Sequence, residues 1–191
     1  MNSIKIKSSI YFTLIFSFCC LAPFLSYAQS IHQTFDFGRQ LMQLNQPEKA
    51  IAAFQRVLFF GDEDFQQKVF PNIAECYFLL GNYSSAARYY DLAYFAATTD
   101  TAKTDFTFKK IESLIREKSF LFAKVEILNL PDKLAPPLAK KKSLYEGIIY
   151  YGLGDYEASK ESFLILVSEE NQKKDVLESF SKLKKVEKIN P

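Results

Sequence analysis

The chain is 191 residues long, carries a formal charge of only +2, and is 48% apolar and 24% charged. That balance suits a globular domain with a sizeable core, and the near-neutral charge argues against binding driven by nucleic-acid phosphates. One histidine and three cysteines are too few for a histidine-based metal site or a disulfide framework.

The first element in chain order is an export leader. "MNSIKIK" carries Lys5 and Lys7 without an acid, and "IYFTLIFSFCCLAPFL" (10–25) is a nearly unbroken apolar run. "SYA" (26–28) then sets small residues three and one before a possible cut. Positive, apolar, then small-x-small is the order of a secretory signal peptide, expected here over 1–28 with cleavage after Ala28. The run of 16 residues is marginal for a bilayer span, so an uncleaved anchor is the alternative. Cys19 and Cys20 do not make a lipid-attachment site, because Phe18 or Cys19 stands where a small residue is needed. Cleavage removes two lysines and no carboxylate, which takes the formal charge to zero and leaves Cys76 as the remaining cysteine. The exported chain must then hold by packing, without an internal disulfide.

From about residue 31 a pattern recurs. A small residue stands at Ala50, Ala86, Ala123 and Ser159, in steps of 36, 37 and 36. Four residues on, the bulky position reads Phe54, Tyr90, Ile127 and Phe163, and three further on come Val57, Ala93, Leu130 and Leu166. Nine before the bulky position stand Asn45, Gly81, Lys118 and Gly154. Sixteen before it are Gly38, Ala74, Ile111 and Gly147, followed after three residues by Leu41, Tyr77, Leu114 and Tyr150. The apolar positions on either side of the Asn/Gly column recur at helical intervals, and Asn and Gly tolerate a left-handed backbone after a helix. Each unit therefore reads as helix, tight turn, helix, and one such hairpin buries its apolar face only against another. The polar stretches "FFGDEDFQQ" and "TTDTAKTD" read as loops between units. "LPDKLAPPLAKKKS" (130–143) is the longest break, a connector or a hinge, with Pro136–Pro137 able to open the next helix. Residues 173–189 carry Val176, Leu177, Phe180, Leu183 and Val186 on one face and lysines mostly opposite. They read as a capping helix, which repeat stacks require, with a basic membrane- or partner-binding helix as the alternative.

Residues 67–98 carry Phe70, Ile73, Ala74, Tyr77, Gly81, Tyr83, Ala86, Tyr90 and Ala93 in a fixed order. In this the chain resembles tetratricopeptide repeat proteins, of an exported bacterial type. The first and fourth copies follow the same order, with Pro47 at the turn tyrosine and Ser159 at the alanine. The third departs from it, with Ile111 at the small position and Lys118 at the turn. The resemblance implies an all-α, right-handed superhelix of four helix-turn-helix repeats, about 31–62, 67–98, 104–135 and 140–171, closed by the helix over 173–189. The period exceeds the family's usual 34 residues, which points to longer loops between units.

The resemblance also implies a binding wall, made in that family mainly by first-helix residues outside the packing columns. Carried over by register, these are Phe35, Arg39, Met42 and Gln43 in the first unit, then Pro71, Glu75, Phe78 and Leu79 in the second. The third supplies Phe108, Glu112, Ile115 and Arg116, and the fourth Leu144, Ile148, Tyr151 and Gly152. Family members that clamp a carboxyl-terminal peptide present lysine and asparagine at such positions, and this chain does not. No residue pattern points to catalysis or to a cofactor. His32 is the lone histidine, and Cys76 falls beside the packing columns as a structural thiol. "DFG" (36–38) and "GLGDYE" (152–157) lack the contexts that would give them chemistry, and "GDED" (61–64) lacks calcium-loop spacing. The expected function is a non-enzymatic protein-interaction scaffold of the bacterial cell envelope. A protein or peptide segment would lie in the groove, and the membrane would be touched only by an uncleaved leader. The tyrosine content supports the alternative of a small-molecule or glycan-binding helical repeat.

Overall fold

The structure, a computed structural model, describes residues 31–167 and Lys174. The expected leader over 1–28 and, apart from Lys174, the expected helix over 173–189 lie outside the described residues. Within them the chain is all-α. In order come α1 (31–43), α2 (Pro47–Phe60), α3 (Glu63–Leu79) and α4 (Tyr83–Ala96). α5 (Asp100–Arg116), α6 (Phe120–Leu128), α7 (Pro136–Gly152) and α8 (Tyr156–Leu164) follow. The chain divides within α3 into two compact units, one ending at Cys76 and one beginning at Tyr77.

Four of the seven connections share one geometry, and they are the four turns read from the sequence. Asn45, Gly81, Lys118 and Gly154 all have positive φ, at 55°, 73°, 64° and 80°. The N–H of each donates to the carbonyl three residues back, on Met42, Phe78, Ile115 and Tyr151. The next N–H, on Gln46, Asn82, Ser119 or Asp155, donates to Leu41, Tyr77, Leu114 or Tyr150 at 2.9 Å in every case. This pair of bonds closes a helix by satisfying its last carbonyls around one left-handed residue. The residue after the turn then starts the second helix: the Asn82 and Asp155 side chains accept from the Ser85 and Ala158 N–H groups. Lys118 adopts the same backbone as the glycines although it carries a side chain.

In the first unit, Gly38 of α1 lets the Phe54 ring of α2 approach so closely that a Cβ there would lie 2.7 Å from it. Phe54 is fully buried. In the second unit Gly147 of α7 meets Phe163 of α8 in the same way, with a notional Cβ at 2.5 Å. Ser159, which stands in the alanine column, is buried and donates to the Gly147 carbonyl at 2.8 Å, so the hydroxyl is satisfied where the glycine leaves the backbone reachable. The α5–α6 pair divides the bulk differently: Ile111 and Ile127 are both buried, in one cluster with Phe108, Leu114, Ala123 and Ile149. Two isoleucines replace a glycine and a ring, and this volume exchange accounts for the departure of the third copy from the pattern.

The expected loops are shorter than the sequence suggested. α3 and α5 are each 17 residues and begin at Glu63 and Asp100, inside the two polar stretches. Acids at a first turn favour the helix dipole, and the Thr99 hydroxyl accepts from the Ala102 N–H to cap α5. The residues beyond 34 per repeat therefore extend first helices. The break after α6 covers only 129–135, because Pro136 and Pro137 already lie in the first turn of α7. Leu130 is buried there and Leu134 packs on the core, which pins the segment as a connector.

Candidate functional site

The wall positions of the first unit are divided by burial. Arg39 and Gln43 are exposed, and Met42, Pro71 and Glu75 are half-buried. Phe35 turns inward instead: its ring lies 5.7 Å from that of Phe54 and 6.4 Å from that of Phe65, so it belongs mainly to packing. Cys76 is fully buried, and burial, then the Glu75 charge, pushes its thiol up to about 11. A protonated, enclosed thiol is a packing group and a poor nucleophile.

In the second unit the structure corrects one wall residue outright. Phe108 is 0% exposed and lies in the α5–α7 core, edge-on to Tyr145 at 6.1 Å. At this position the neighbouring first helix, α7, packs on α5, and its Tyr145 covers the ring. Glu112 is half-buried, and its carboxylate accepts from the Tyr145 hydroxyl at 2.9 Å. Burial of Tyr145, then the Glu112 charge and hydrogen bond, raises the phenol above its usual range, with Arg116 opposing. Lys141 lies over both rings, 5.2 Å from Phe108 and 5.4 Å from Tyr145. Neither Lys141 nor Tyr145 stands in the wall register; Tyr145 is one residue beyond it, and helix rotation brings it in. Ile115 and Ile148 pack on the core as half-buried residues. Phe78 packs edge-on against Tyr83 at 5.3 Å. The wall positions left open are Leu79, Arg116, Leu144, Tyr151 and Gly152. Tyr151 is 45% exposed, with Tyr156 of α8 edge-on at 5.5 Å.

Sequence reasoning missed the opposite side of this unit. Lys110 of α5 bridges Asp91 of α4 at 2.5 Å and Glu126 of α6 at 3.0 Å. Burial works against the ammonium charge, but the bonds and charges of both carboxylates outweigh it and hold its pKa above the usual lysine value. Two clefts flank this triad. One of about 330 Å³ is lined by Tyr90, Tyr94, Phe95 and Asn129, the other of about 380 Å³ by Arg88, Glu117 and Phe122. On α6, Leu121 (69% exposed), Phe122 (70%), Val125 (56%) and Leu128 (64%) form an outward apolar face. The cue was present in "FLFAKVEIL", where seven of nine residues are apolar, while the repeat register explains only Ala123 and Ile127.

Among the described residues no group of three or more His, Cys, Asp or Glu side chains is placed to hold a metal ion. Nor is any described helix long and apolar enough to cross a membrane. Compared with protein-family models, curated proteins and solved structures, the chain matches none.

Proposed function

We propose that this chain is a non-enzymatic protein-interaction scaffold of tetratricopeptide-repeat type, exported to the bacterial cell envelope. Its four hairpins would stack as a right-handed superhelix and hold a protein or peptide segment against their first helices. The observation that carries this reading is the open part of the wall in the second unit. Arg116, Leu144 and Tyr151 stand at partner-facing positions of the repeat register and are exposed. Tyrosine and arginine beside apolar side chains are the composition enriched at binding hot spots. The packed Glu112–Tyr145–Lys141 network beneath them supplies a rigid floor, so little side-chain entropy is lost when a partner docks.

The test is partner capture from envelope lysate with Arg39→Ala, Arg116→Ala and Tyr151→Ala variants, each first shown to fold. Loss of a discrete captured protein in the Arg116 and Tyr151 variants is expected; undiminished capture by all three removes the wall from the reading. A second reading, a small-molecule or glycan-binding repeat, is favoured by the cleft that Tyr90, Tyr94 and Asn129 line beside Lys110. Rings beside amide and charged groups suit a saccharide. A bound saccharide recovered without any protein supports that reading against the first.

A further inference from the structure

We propose that residues 173–189 of this same chain dock on the outward face of α6. The face is large for a solvent-facing helix surface: Leu121, Val125 and Leu128 lie at helical spacing, with Phe122 beside them, all more than half exposed. Contiguous apolar patches of this kind mark an interaction surface. One amphipathic helix is the right scale. The α6 face runs over eight residues, about 10 Å along the axis, and the stripe Val176, Leu177, Phe180, Leu183 and Val186 spans about 15 Å when helical.

Charge and reach agree with this occupant. The cleft beside α6 gathers the carboxylates of Asp91, Glu117 and Glu126 against Arg88 and Lys110. Lys110 pairs with two of those acids, and the group as a whole keeps one negative charge in excess. Lys124 is turned to the Tyr150 ring at 5.0 Å. Residues 173–189 hold six lysines against three acids, so their flanking charges are attracted to this side. α8 packs on α7 and α7 on α6. At 8–10 Å between packed axes, α6 lies within about 20 Å of α8. The peptide steps from Val167 to Lys173 cover about that distance when extended. The apolar stripe would then cover α6 and leave its lysines toward the acids and water.

The full chain carrying Val125→Cys and Phe180→Cys tests this with a short bis-maleimide, Ile165→Cys with Phe180→Cys serving as the comparison. The expected result is a monomeric intramolecular product for the 125–180 pair, in higher yield than for the 165–180 pair. Product confined to the 165–180 pair would mean that the segment covers the last helix, and product confined to dimers would mean that a second copy supplies it. Either result, or no product at 125–180, overturns the proposal. Independently, Phe180→Asp with Leu183→Asp should speed amide exchange across 121–128 about tenfold while exchange across 31–60 is unchanged. Unaltered exchange on α6 also overturns it.

Discussion

Lys118 occupies a left-handed backbone position that glycine fills at Gly81 and Gly154. A side chain there costs roughly 1–2 kcal/mol, against the 0.5–1 kcal/mol or so that glycine loses through chain entropy. Lys118→Gly should therefore raise unfolding stability by about 0.5–1 kcal/mol, read as a higher urea midpoint at constant slope. Gly38→Ala and Gly147→Ala should act in the opposite sense. Each pushes a methyl into a ring 2.5–2.7 Å away, an overpacking that costs about 1–3 kcal/mol. Glu146 supplies a pH signature. Burial raises its carboxyl pKa, and Lys142 at 4.0 Å offsets only part of this. A carboxyl whose folded pKa lies above its unfolded value opposes folding once ionised, and the fold gains from its protonation as pH falls through the folded pKa. Glu146→Gln should therefore be slightly more stable than wild type at pH 7. The advantage should disappear below about pH 4, the unfolded carboxyl range, in parallel chemical denaturation at the two pH values.

At the scale of elements, α3 contains Pro71 in its interior. Proline lacks the N–H that would meet the Gln67 carbonyl and crowds that turn, while the neighbouring Asn72 side chain donates to the Lys68 carbonyl at 2.6 Å. Pro71→Ala should restore the backbone bond and raise stability by about 1–3 kcal/mol, seen as a higher melting temperature. An unchanged or lower value would mean that packing around the ring outweighs the helix penalty. The repeat register located all four turns because these depend on local backbone, and its small and bulky columns because apolar positions recur at helical spacing. It misjudged helix starts, where acids near an N-terminus look like loop residues in one dimension and act as dipole partners in three.

At the scale of the whole molecule, the export reading makes one direct prediction. Intact mass of the protein from its native envelope should correspond to Gln29 as the first residue, and a membrane-embedded species retaining Met1 would refute cleavage. The leader, the helical class and the turn positions are properties of short segments, and so the sequence by itself determined them as expectations. Among the described residues the helical class holds and the four turns fall at the expected positions, while α3 and α5 begin earlier than expected.

What only the tertiary structure decided is which side of each helix is covered. Phe108 and Tyr151 both stand at wall positions of the register, yet Tyr145 and the core enclose Phe108 while Tyr151 stays 45% exposed. The Lys110 triad joins residues from α4, α5 and α6 that are 16–35 positions apart. No periodicity links them. Burial of a helix face is set by the neighbour that packs on it, and the identity of that neighbour is a property of the folded chain alone.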